Sequence, residues 1–107
     1  MPFGLKDKDI DAIKTILALH ANITKAIVYG SRAKGNYKNG SDIDITIIGE
    51  ALTSRELNKI HNSLDDLLLP YTFDLSLFAQ IENPDLVDHV KRVGMVLYER
   101  VADILAK

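Results

Sequence analysis

The period-two pattern of Asp42-Ile43-Asp44-Ile45-Thr46-Ile47 constrains this chain more than any other segment. Successive side chains along a β-strand point to opposite faces of the sheet. A strand over Asp42–Ile48 therefore turns Ile43, Ile45 and Ile47 to one face and Asp42, Asp44 and Thr46 to the other. Tyr71 to Phe78 repeats the alternation, with Phe73, Leu75 and Leu77 against Thr72, Asp74 and Ser76. Aspartate is disfavoured in strands, because its short carboxylate competes for backbone groups. Asp42, Asp44 and Asp74 thus need another reason to stand where they do. If the two strands are neighbours, three carboxylates meet on one face and repel one another unless cations neutralise them.

The remaining pattern supplies helices to cover such a sheet. Ile10, Ile13, Ile16 and Leu17 follow helical spacing and predict a helix over Asp7–Leu19, with Asn22 as its terminator. Ile23–Tyr29 reads as a strand running into Gly30, and residues 31–41 as a short helical turn and a Gly- and Asn-rich loop. Thr53-Ser54-Arg55-Glu56 has capping-box spacing and opens a helix whose apolar stripe is Leu57, Ile60, Leu64, Leu67 and Leu68, closed by Pro70. Asn83 and Pro84 predict the cap and first position of a further helix, with Leu86, Val87, Val90 and Val93 as its apolar face and Gly94 as its stop. Met95–Tyr98 reads as a short edge strand, and the tail to Lys107 as weakly helical. These elements specify an α/β (α+β) fold, a small mixed sheet with helices packed on it, forming a single domain over 1–107.

Composition narrows the function classes. Hydrophobic residues at 47% and charged residues at 26% are ordinary for a soluble globular protein. No apolar run approaches the ~20 residues needed to span a bilayer, and the N-terminal residues lack the apolar core of a signal peptide. With no cysteine there is no disulfide, thiolate nucleophile or cysteine zinc site. A cytoplasmic protein without a membrane partner is expected. The net charge of −2 argues against a general nucleic-acid-binding domain, so no direct nucleic-acid binding is expected. Between Lys25 and Ser41 the charged residues are Lys25, Arg32, Lys34 and Lys38, with no acid among them. A basic loop set directly against Asp42 and Asp44 suits an anionic ligand carried by a metal.

Gly30-Ser31 stands ten residues ahead of Asp42-Ile43-Asp44. A Gly-Ser turn after an apolar strand offers backbone N–H groups and a hydroxyl to a phosphate. Aspartates at i and i+2 on a strand have Cα atoms about 6.5–7 Å apart, within reach of one cluster of divalent ions. Two such ions, about 3.5–4 Å apart, would resolve the repulsion among Asp42, Asp44 and Asp74 and would bind substrate phosphates. Gly35–Ser41 is no P-loop, because it lacks the Lys after the second Gly and precedes a strand. Asp42-Ile43-Asp44 is no calcium loop, because Ile47 fills the position where the sharp turn needs Gly. His20, His61 and His89 have no ligand spacing and read as surface or helix-end residues. Tyr29 reads as packing at its strand end, and Leu67-Leu68-Leu69 as core.

Gly-Ser, ten residues, Asp-x-Asp, and a third Asp on a later strand together resemble the DNA polymerase β-like nucleotidyltransferase superfamily. Tyr29-Gly-Ser-Arg-Ala-Lys-Gly35, Ser41-Asp-Ile-Asp-Ile45, Tyr71-Thr-Phe-Asp-Leu-Ser76 and Val93-Gly-Met-Val-Leu-Tyr98 carry the likeness across most of the chain. Within the superfamily the chain is similar to the minimal nucleotidyltransferases, the antitoxin halves of HEPN/MNT toxin–antitoxin pairs. The resemblance implies that Gly30 and Ser31 hold the β- and γ-phosphates of ATP. It implies that Asp42 and Asp44 ligate two Mg²⁺ ions, and that Asp74 ligates the catalytic one and assists deprotonation of the acceptor. Arg32 and Lys34 are candidates for phosphate contacts or solvated loop charges. The implied reaction is transfer of AMP to a tyrosine hydroxyl of a cognate HEPN RNase toxin, with pyrophosphate leaving. The short chain leaves acceptor recognition to a partner protein, which disfavours an independent polymerase or an antibiotic-modifying enzyme. Neutralisation by stoichiometric binding is the alternative. A homo-oligomer, or a hetero-oligomer with the toxin, is left open.

Overall fold

A computed structural model describes residues 2–35 and 42–100. The element order is α1 (Asp7–Ala18), β1 (Ile23–Tyr29), α2 (Ser31–Lys34), β2 (Ile43–Gly49), α3 (Ser54–Asp65), β3 (Phe73–Leu77), α4 (Pro84–Val93) and β4 (Met95–Glu99), with 3₁₀ turns at Pro2–Gly4 and Phe78–Gln80. Within the described residues the predicted helices and strands are all present, and the 3₁₀ turns over Pro2–Gly4 and Phe78–Gln80 were not expected. The weakly helical tail and most of the Gly- and Asn-rich loop lie outside the described residues.

The sheet has the order β3-β2-β1-β4. β1 pairs antiparallel with both β2 and β4, whereas β2 and β3 run parallel, so the sheet is mixed as expected. The β2–β3 connection passes through α3, the crossover that parallel neighbours require. Ile43, Ile45 and Ile47 are buried, as are Phe73 and Leu77 beside them. Against that face pack Ile10, Ile13 and Leu17 of α1 and Ile60 and Leu64 of α3. α4 lies against β1, where Gly94 brings the backbone close to the Ile27 side chain. Ile27 is paired with Thr46 across the sheet, which places α4 on the polar face.

The caps follow the sequence. Thr53 accepts the Glu56 N–H at 3.2 Å, and Asn83 accepts the Asp85 N–H at 2.9 Å with Pro84 behind it. The capping box is only half used, however: the Glu56 carboxylate lies 3.3 Å from His20 Nδ1, tying α3 to the end of α1. The apolar stripe predicted for α3 also ends early. Its helix stops at Asp65, and Leu68 takes a positive φ of 55° that turns the side chain outward, leaving it 88% exposed. Leu67 and Leu69 pack against the core, so the Leu67-Leu68-Leu69 run is core at two positions and surface at the third. Arg100 clasps the chain ends of α1 and β1, donating to the carbonyls of Ile23, Ala18 and His20.

Truncating Ile45 to Ala in the centre of this face should lower stability by about 2–5 kcal/mol. Leu68→Ala should stay within about 0.5 kcal/mol of wild type. Urea denaturation of the two variants checks both.

Candidate active site

Strand pairing brings the acidic residues together. In the parallel register Ile43 stands beside Phe73, Asp44 beside Asp74 and Thr46 beside Ser76. Asp44 and Asp74 therefore project side by side from the polar face. Asp42 lies one step before β2, and the Thr72 hydroxyl donates to its Oδ1 from the same step before β3. Thr72 was placed on the polar strand face by the sequence; its role in orienting a carboxylate is new. On the other flank Tyr29 pairs with Asp44, which sets the end of β1 and the Gly30-Ser31 turn against the same carboxylate.

The turn itself depends on glycine. Gly30 has φ 74° and ψ −152°, a region L side chains rarely enter. A Cβ on it would stand 2.5 Å from Asp44 Oδ2. The turn and the acid are thus in direct contact, and Ser31 opens α2 immediately beyond. The Gly30 N–H does not point outward as the sequence suggests: it donates to His89 Nε2 at 3.2 Å. The His89 ring also meets Tyr29 edge-on, with centroids 6.2 Å apart and planes at 80°. Reading His89 as a surface or helix-end residue is therefore corrected. A signal was present, because Leu86, His89, Val90 and Val93 fall at i, i+3, i+4 and i+7, the inward stripe of α4.

The two basic candidates part company. Lys34 is exposed at the end of α2. Arg32 is only 4% exposed; its Nη1 donates to the Phe3 carbonyl at 3.0 Å, and its guanidinium lies 5.5 Å from the centre of the Tyr71 ring. It is no solvated loop charge. Tyr71 in turn reaches the buried Asp9 at 3.4 Å. Of the other histidines, His61 contacts the Phe73 carbonyl and Asp65 at 3.2 and 3.3 Å, and His20 holds Glu56 as above.

The electrostatics follow from this packing. Burial raises the Asp44 carboxyl above the ordinary carboxylate range, repulsion by Asp74 and then Asp42 adds to it, and His89 opposes them only when its ring is protonated. Burial likewise raises the Tyr29 phenol; the Ser76 hydroxyl lowers it, and Asp44 and Asp74 raise it further. Three hard oxygen donors on one face, already repelling one another, are the donor set that Mg²⁺ takes with substrate phosphates. Among the described residues, no three acidic, histidine or cysteine side chains are drawn together as a finished metal-ligand cluster. A cation would have to gather the carboxylates.

Residues 11–103 match the family described as polymerase beta, nucleotidyltransferase. The chain belongs to this nucleotidyltransferase family. It is 28% identical over 97 residues to a probable protein adenylyltransferase MntA of Haemophilus influenzae, covering 90% of this chain and 84% of that protein. Among solved structures, a toxin–antitoxin with AMP-PNP matches this nucleotidyltransferase with a TM-score of 0.69 and 20% identity, over 90% of this chain and 75% of the other. The tri-AMPylated Shewanella oneidensis HEPN toxin in complex with MNT antitoxin gives 0.68 and 17%, over 90% and 74%. At these identities the likeness is one of fold. No helix among the described residues of the nucleotidyltransferase is long and apolar enough to cross a membrane.

Two outcomes follow. Gly30→Ala should disrupt the turn and lower the melting temperature, because the added methyl has no room beside Asp44. Asp44→Asn should do the opposite in the absence of divalent ions. A carboxyl raised in the folded state is penalised when ionised, so its cost is present at neutral pH and vanishes below the range of the unfolded carboxyl. The Asn variant should melt higher than wild type at pH 7 in EDTA, and the gap should close as the pH falls through the carboxylate range. Melting curves across pH check this.

Proposed function

We propose that this nucleotidyltransferase moves AMP from ATP to a tyrosine hydroxyl of a cognate HEPN RNase toxin, in the cytoplasm, and so acts as the antitoxin of the pair. The register of Asp44 beside Asp74, against the Gly30-Ser31 turn, is the observation that carries the reading. The names of the relatives add to it: one is a probable protein adenylyltransferase, and others are toxin–antitoxin complexes, one of them with a tri-AMPylated toxin.

The residues divide the work as follows. Ser31 seats the β- and γ-phosphates through its amide and hydroxyl, Gly30 allows their close approach by having no side chain, and the exposed Lys34 is a further cation for them; Arg32 braces the turn through Phe3 and Tyr71. Asp42, Asp44 and Asp74 would hold two Mg²⁺ ions, which supply charge stabilisation as the phosphoryl oxygens turn negative. Asp74 is exposed, so an incoming hydroxyl can reach it. It takes the proton as the tyrosine oxygen bonds to the α-phosphorus. The bond from that phosphorus to the bridging oxygen breaks, and pyrophosphate carries the electron pair away. Thr72 keeps the Asp42 carboxylate oriented throughout, the supporting role that second partners of metal ligands play.

Stoichiometric binding is a second reading, favoured by the relatives that were solved as toxin–antitoxin complexes. One experiment separates the two. With Mg²⁺ and α-³²P-ATP, wild type should label a cognate HEPN toxin protein. Asp42→Asn and Asp74→Asn should each reduce labelling by about 10²–10⁴-fold. Unchanged labelling in both variants sinks the assigned chemistry. Full neutralisation by an inactive variant at a one-to-one ratio favours the binding reading.

A further inference from the structure

His89 stands outside the Gly-Ser and Asp-x-Asp motifs, yet its side chain contacts Gly30, the first residue of the Gly-Ser turn. Its Nε2 faces a backbone N–H, which can only donate. That nitrogen must therefore carry the lone pair, and the ring is the tautomer protonated at Nδ1. The acceptor reaches the turn from 59 residues away, on a helix fixed at both ends. Asn83 caps its start, Val90 is buried against the fold, and the Gly94 N–H closes on the Val90 carbonyl at 2.8 Å. The ring is held edge-on to Tyr29, the residue before Gly30. Two successive residues of the turn are thus held by one imidazole.

The held residue has an unusual conformation. Gly30 at φ 74° is free to leave that region, because glycine has many alternatives of similar energy. Hydrogen bonding its N–H to a fixed acceptor removes that freedom, and with it the freedom of Ser31, whose amide and hydroxyl follow in the chain. A part-buried N–H left without its acceptor would also be destabilising, which gives the bond a directional hold on the turn.

We propose that His89 is the positioning residue of the phosphate turn: it holds Gly30 so that Ser31 is ready for a nucleoside triphosphate, and it acts on nucleotide binding rather than on bond making. The inference rests on the nucleotidyl-transfer reading of the site.

Two substitutions isolate the acceptor from the ring. His89→Phe keeps an aromatic edge for Tyr29 and removes the acceptor. His89→Gln places a side-chain carbonyl near the position of Nε2 and removes the ring. In the full chain, the Phe variant should raise the KM for Mg-ATP about tenfold, the worth of one hydrogen bond, with kcat little changed. The Gln variant should restore KM to within about threefold of wild type. The Gly30 amide, followed by hydrogen exchange in ¹⁵N-labelled protein, should lose protection in the Phe variant and keep it in the Gln variant. A Phe variant with wild-type KM overturns the proposal, as does a Gln variant as impaired as Phe, or a loss confined to kcat. If wild type transfers no nucleotide, the transfer reading has failed on its own. Gly30 exchange then decides the His89 contact: unchanged protection in the Phe variant overturns it.

Discussion

The pairing of β2 with β3 in parallel register sets two aspartates side by side, and the rest of the site depends on it. Like charges directly opposite one another destabilise a sheet. Here the pair is kept on the polar face, with burial and mutual repulsion both pushing the Asp44 carboxyl upward. The isoleucine face beneath provides the stability that tolerates this arrangement. Ile43, Ile45 and Ile47 are fully or almost fully buried between α1, α3 and the neighbouring strands, so the strand cannot slip by one residue without exposing all three. Core packing therefore fixes which way the acids point.

Much of this was legible in the sequence, for a physical reason. Alternation with period two has one reading at Asp42–Ile47, and the same alternation in Phe73–Leu77 puts Asp74 on a matching face. Thr53 and Asn83 announce their helices because each meets the first-turn N–H groups through a short side chain, a contact confined to neighbouring residues. The mixed sheet follows from strands of this length separated by one long helical crossover. What local pattern leaves open is the registration of β2 with β3, which pairs residues 30 apart and came only with the structure.

The misreadings have the same root. His89 and Leu68 each fit a helical stripe by spacing, but the outcome depends on distant contacts and on where a helix stops. α3 ends at Asp65, so Leu68 lies beyond the last turn and faces water. α4 keeps its full length, and its inward stripe carries His89 to Gly30. Arg32, left open by its sequence context between a phosphate contact and a solvated loop charge, is buried by Phe3, on the other side of β1 in sequence, and by Tyr71 ahead of β3. A local pattern has no access to partners that arrive from 29 or 39 residues away.

The space between Gly30 and Asp44 is small enough that neither side chain can grow without meeting the other. Lengthening the acid by one methylene would press it into the turn, and giving the turn a side chain would displace the acid. The Gly30-Ser31 turn and the acidic strand segment, ten residues apart in the chain, are thereby locked into one steric unit.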